Sequence, residues 1–258
     1  MIFLQRPPNP RPARIAKILL FPLFKTMIIG GLQKTTLIDY PGKLACTVFL
    51  AGCNFRCPWC YSAELVLPEK IINQPRLPEK EFFDFLRERQ GLLEGVVICG
   101  GEPTVNKELP QFIEKIKNLG YSVKLDTNGS NPDMLKNLIG RKLIDYVAMD
   151  IKGHLATYEK IMGEGVKLED IDESVKFLKK GNVDWEFRTT VVNTVHVKED
   201  FLEIAKWIGG PEVKYYLQDF RPEKTIDPSF EKIKPYKDEW LKEVAKEIFP
   251  YFKLCQLR

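Results

Sequence analysis

The sequence predicts an α/β fold, a partial barrel of six β/α units, (β/α)6, with parallel strands and one open side. Three observations predict it. Apolar runs with strand character alternate with segments whose apolar residues fall three and four apart. Each strand ends in or carries an unusual polar cluster, and parallel α/β sheets gather their chemistry at the carboxyl ends of strands. The stretch after the first 26 residues, roughly 230 residues, is short for an eight-unit barrel of ~250. The alternation alone would also suit a doubly wound sheet; the polar clusters favour the barrel.

Taken in order, residues 1–26 hold Pro7, Pro8, Pro10 and Pro12 and read as a disordered or loosely attached tail, so the folded unit is expected over residues 27–258. The first strand, ACTVFLAG (45–52), runs into GCNFRC, and the second, GVVICGG (95–101), into GGEP. The third, SVKLDTNG (122–129), ends in DTNG and the fourth, DYVAMDIKG (145–153), in DIKG. The fifth and sixth, WEFRTTVV (185–192) and VKYYLQDF (213–220), carry RTTVV and QDF within them. EKEFFDFLRER, LPQFIEKIKNLG and EDFLEIAKWIGG have the helical period between strands. A last helix, KDEWLKEVAKEIF, places Trp240, Leu241, Val244, Ala245, Ile248 and Phe249 on one face, expected to pack on the barrel wall.

Charge and composition exclude several classes. The net charge of +4 includes five basic tail residues, Arg6, Arg11, Arg14, Lys17 and Lys25, with no acidic ones, so the remainder stands at −1 and no nucleic-acid partner is expected. No apolar run would span a membrane. Ile18 to Phe24 is too short for a secretory leader, is interrupted by Pro22 and lacks a cleavage site after it. Six cysteines without scaffold spacing point to a reducing, cytoplasmic setting.

Half of those cysteines sit in AGCNFRCPWC, residues 51–60, spaced CxxxCxxC. Three thiolates from Cys53, Cys57 and Cys60 would hold three corners of a four-iron cube and leave the fourth iron open to a substrate. Zinc is the alternative, with four ligands when structural or three and a water when catalytic. Cys46, Cys99, Cys255, His154 and His196 could each supply a fourth ligand, but none forms a second pair of CxxC type.

AGCNFRCPWC resembles the cluster loop of radical S-adenosylmethionine (SAM) enzymes, CxxxCxΦC, with Trp59 as the aromatic residue before the third cysteine. CGGEP (99–103) resembles the second signature of that family, and LDTNG and MDIKG resemble motifs of its glycyl-radical-activating branch. The resemblance implies a TIM-like partial barrel holding a 4Fe-4S cluster, with Cys53, Cys57 and Cys60 as ligands and one iron open to SAM. It implies Trp59 near the adenine, Gly100, Gly101 and Glu102 around the ammonium group, Asp126 and Asp150 at the amino group and ribose, and Lys152 at the carboxylate. Arg188, in RTTVV, resembles an arginine on a late strand of the same branch; pairing with a barrel carboxylate is the other reading. Trp59 alternatively packs the loop, GGEP alternatively makes a tight turn, and each aspartate alternatively caps the next helix.

The stretch TTLIDYPGKLACTVFLAGCNFRCPWC together with the later clusters resembles the activating proteins of anaerobic ribonucleoside-triphosphate reductases, from about Met27 to the end. That likeness implies an oxidoreductase that cleaves SAM reductively to a 5′-deoxyadenosyl radical and forms a glycyl radical on a partner protein. A low-potential donor of flavodoxin or ferredoxin type would supply the electron. Two alternatives stand beside it. One is a small radical SAM enzyme acting on a metabolite, such as a 7-carboxy-7-deazaguanine synthase; the other is a non-enzymatic zinc or iron-sulfur module.

Overall fold

The computed structural model describes residues 27–162 and 166–258; the expected tail lies outside the described residues. Eight strands form one sheet in sequence order: β1 (Ile29–Thr36), β2 (Ala45–Leu50), β3 (Gly95–Gly100), β4 (Ser122–Thr127), β5 (Tyr146–Asp150), β6 (Asp184–Val191), β7 (Gly210–Asp219) and β8 (Phe252–Leu257). The six expected strands are β2 to β7, each parallel to the next. Among the described residues β1 and β8 do not pair with each other, so the barrel stays open between them. The fold is thus the expected partial barrel, with a strand added at each edge.

The alternation of side chains explains why these strands form a wall. Cys46, Val48, Leu50, Val96, Ile98, Val123, Leu125, Val147 and Met149 share one core with the helices, as every second residue of a strand must. Helices Glu79–Glu88 and Leu109–Asn118 deliver Phe82, Phe83 and Phe112 to it, with ring centroids 5.2 to 5.5 Å apart. Each such burial is worth ~1.5–3 kcal/mol. The intervening residues face inward, where Tyr40, Ala45, Val97, Tyr146 and Cys99 form a small separate cluster and the rest of that face is largely polar.

The added strands differ from expectation. β1 runs antiparallel to β2, with one register irregularity at its glycines, between Ile29 and Gly31, and a second between Gln33 and Thr36. β8 follows the last helix, Asp238–Ile248, and pairs parallel to β7. That helix buries Leu241, Val244 and Ile248 as expected, whereas Phe249 is 51% exposed because the chain turns there toward β8. Beyond β8, Arg258 bonds both oxygens of the fully buried Glu186 at 2.6 and 3.1 Å, and its guanidinium lies 3.4 Å from the Tyr216 ring centroid. Tyr146 donates a third hydrogen bond to Glu186, at 2.8 Å. A buried charge is tolerated only when paired and hydrogen-bonded in this way.

Candidate active site

The cysteine loop leaves β2 at the carboxyl end of the barrel. Cys53 and Cys57 are buried and Cys60 is partly exposed, and none of the three is in a disulfide. Burial pushes all three thiols up, Cys57 to about 12; Cys53 is raised further by Cys57 and Cys60, and Cys57 by Cys60, as close thiols must be. Lys152 works against burial at Cys57 and Cys60. Three soft donors crowded on one loop, with a cation beside them, suit a metal site that requires thiolates. Among the described residues no three His, Cys, Asp or Glu side chains converge to cage a single ion.

GGEP is stitched to that loop through main chain. Gly101 N–H donates to Leu50 O at 2.9 Å and Glu102 N–H to Gly52 O at 2.7 Å. A Cβ on Gly100 would lie 2.2 Å from Leu50 O, and one on Gly101 would lie 2.1 Å from Gly52 O. Gly100 also has φ +125°, so glycine is required there twice over. Glu102 is 1% exposed, and its carboxylate accepts hydrogen bonds from Thr104 N–H, Thr127 Oγ1 and Asn128 N–H at 3.1, 2.7 and 2.6 Å. Both oxygens are committed within the protein, tying the end of β3 to that of β4.

Asp126, Asp150, Lys152 and Arg188 converge on the inner face, at the ends of β4, β5 and β6. Arg188 Nη1 meets Asp126 at 3.1 Å and its Nε meets Asp150 at 3.0 Å, while Lys152 Nζ meets the other Asp150 oxygen at 3.0 Å. The remaining Asp126 oxygen is held by Lys124, whose side chain is 1% exposed. Three cations against two carboxylates leave this ladder one positive charge in excess. Burial alone would raise the Asp150 pKa; Arg188 and Lys152 outweigh it and hold the carboxyl down at about 2. Burial likewise opposes the charge on Lys152, which its partner Asp150 restores.

Trp59 is 4% exposed and packs edge-on to His196 at 6.0 Å and against Phe230 at 6.1 Å, so it fills the loop's underside. His196 is buried. Its Nδ1 accepts from Val192 N–H at 3.1 Å, which leaves Nε2 to donate to Lys152 O at 3.0 Å. Burial lowers its pKa and keeps the ring neutral. His154 instead meets Asp200 at 3.2 Å. Lys124 escaped notice in the sequence, although a lysine two residues before Asp126 in an otherwise apolar strand was a readable signal.

Comparison with known proteins agrees with this geometry. The chain matches the model of the Radical SAM superfamily over residues 47–208. It is 35% identical over 228 residues to a Methanocaldococcus jannaschii protein provisionally named a glycyl-radical enzyme activating enzyme, covering 85% of this chain and 90% of that one. It is 26% identical over 186 residues to the 7-carboxy-7-deazaguanine synthase of Thermococcus kodakarensis, covering 66% and 70%. Among solved structures, Streptococcus suis SuiB aligns with a TM-score of 0.59 and 16% identity over 81% of this chain; the alignment spans 47% of SuiB, about half its length. QueE of Escherichia coli aligns with a TM-score of 0.53 and 14% identity over 90% of this chain and 93% of its own. These two likenesses speak to the barrel, whereas the family match extends across the cysteine loop and the strand-end clusters, and on that match the chain belongs to the Radical SAM superfamily and is an enzyme of it.

Proposed function

We propose that this protein is an activating enzyme that generates a glycyl radical on a partner protein, an anaerobic ribonucleoside-triphosphate reductase. The observation that carries this reading is the 35% identity to the provisionally named activating enzyme across 85% of the chain. A surface depression beside β1 supports it. A cavity of about 340 Å³ opens between β1, the end of the cysteine loop and the segment after β7, lined by Gly30, Gly31, Phe49, Tyr61, Glu64 and Lys224 among others. An extended glycine loop from another protein could enter there.

In this reading Cys53, Cys57 and Cys60 hold the 4Fe-4S cluster expected of the family. When bound, the cluster and SAM supply reductive cleavage of the sulfonium and a carbon radical able to take a hydrogen atom. The chain's own residues hold and orient. Lys152 offers its ammonium to the ligand's carboxylate while Asp150 keeps that ammonium charged. Asp126 and Asp150 approach the amino group and ribose with their charge already balanced by Lys124 and Arg188. Gly100 and Gly101 let main chain come close, Glu102 fixes the turn beneath them, and Trp59 supports the loop on the adenine side. A low-potential flavodoxin or ferredoxin delivers the electron, in the cytoplasm.

The test uses anaerobically reconstituted protein, SAM, a reductant and a candidate glycyl-radical partner. A glycyl doublet in the electron paramagnetic resonance spectrum, in step with 5′-deoxyadenosine, is the expected result. SAM cleavage that leaves the partner unmodified but yields 7-carboxy-7-deazaguanine from a suitable precursor would favour the reading that the Thermococcus relative suggests.

A further inference from the structure

The cysteine loop is held at its two ends by different means. At the entry, Ala51 N–H donates to Ile28 O and Gly52 O accepts from Glu102, which ties this end to the sheet, while Gly52 N–H donates to Leu65 O in the short helix Ala63–Val66 that follows the loop. At the exit the sheet has been left behind. The segment after β7 takes over there: Ile226 N–H donates to Cys60 O at 3.0 Å and Asp227 N–H to Pro58 O at 2.9 Å. Arg221 N–H donates to Tyr61 OH at 2.7 Å, and the Tyr61 and Phe220 rings stack at 6.0 Å and 15°. Phe230 adds its contact with Trp59, and Lys224 pairs with Glu64.

The segment has its own internal bracing. Thr225, 5% exposed, donates its hydroxyl to Asp227 O at 2.6 Å and its N–H to Glu231 at 3.2 Å. Asp227 caps Ser229 N–H at 2.9 Å; from outside the segment, Asn193 donates to Lys234 O, just past its end, at 3.1 Å. A loop of irregular backbone that satisfies its own polar groups is stiff enough to position another.

We infer that residues 220–233 are a strap that sets the exit half of the cysteine loop, Cys57 to Tyr61, in ligand-ready form before any metal arrives. Its main-chain donors at Ile226 and Asp227 are the clasp, and Tyr61 is the anchor. The strap is a positioning element for the cluster. It presupposes that the cysteine loop is the cluster loop, but not which molecule finally receives the radical.

Two variants separate the clasp from the bracing. Asp227→Pro deletes the N–H that reaches Pro58 O, whereas Asp227→Ala keeps it and loses only the cap on Ser229. In metal-free protein, amide exchange across residues 57–62 should run about three- to tenfold faster in Asp227→Pro than in Asp227→Ala, the range expected for one net hydrogen bond. After reconstitution, iron retained against a chelator should fall in the same variant by a similar factor. Equal exchange in the two variants, or faster exchange with undiminished iron retention, would overturn the inference. Should Asp227→Pro not fold, Tyr61→Phe decides: it removes the acceptor for Arg221 N–H and keeps the ring stack. Faster exchange at 57–62 with weaker iron retention sustains the strap, and wild-type values for both remove it. Because the exchange readout needs neither SAM nor a partner, failure here is distinguishable from failure of the activase reading.

Discussion

The two faces of the sheet follow opposite rules. The outer face buries Val48, Val96, Ile98 and Leu125 against aromatic helices and carries the folding energy. The inner face spends buried positions on Lys124 and Glu186 and partly buried ones on Asp126, Asp150 and Arg188, each held by a counter-charge. Replacing such pairs by apolar residues is often neutral or stabilising, whereas removing one partner is strongly destabilising. The inner charges are therefore better explained by what they hold than by what they stabilise, and the contrast can be broken or sharpened by substitution on each side.

The largest effect is expected at the mouth. Cys57→Ala should abolish reductive SAM cleavage, followed as 5′-deoxyadenosine, while the thermal midpoint of the metal-free protein stays close to that of the wild type. A retained product signal would remove Cys57 from the cluster. On the outer face, Phe82→Ala should cost ~3–5 kcal/mol in urea unfolding, with SAM affinity of the folded fraction unchanged; a marked loss of affinity would erase the division of labour. Lys152→Met should do the reverse, weakening SAM binding to reconstituted enzyme by about 10- to 100-fold, in line with ~1.5–3 kcal/mol for a charge-assisted hydrogen bond. Equilibrium dialysis would measure it, and unchanged affinity would relieve Lys152 of its carboxylate role.

The smallest effect concerns acid. The Asp150 pKa is depressed on folding, from 3.8 to about 2. The stability that this contributes is complete above the unfolded value near pH 4 and is lost as pH falls through the folded value near pH 2. The contribution is roughly 2 kcal/mol by linkage. Asp150→Asn should therefore flatten stability against pH within that window, as urea titrations at stepped pH would show, and leave the curve above pH 5 parallel to that of the wild type.

What could be read without coordinates follows the same division. Parallel strands announced themselves because their outer residues are apolar at every second position, and the polar clusters marked their carboxyl ends. β1 was invisible because IGGLQKTT pairs glycines with polar residues, and an edge strand beside a register shift has little periodicity to display. β8 was missed because FKLCQL is short and directly follows a helix end. That Asp126, Asp150, Lys152 and Arg188 share one site was foreseen from likeness, and pairing of Arg188 with a barrel carboxylate was its other reading; which oxygen faces which cation was not legible, since sequence spacing does not say. The strap left no trace for a simpler reason: its clasp is made of main-chain N–H groups, which every residue except proline possesses.

Glu102 carries a warning for anyone scanning this barrel by mutagenesis. An isosteric amide there would set an NH₂ against donors that now share a carboxylate, and the ends of β3 and β4 would shift together. Lost activity in such a variant would therefore report on this carpentry as well as on any contact with the cofactor, and the glutamate and the TNG turn that it braces should tolerate change only in concert.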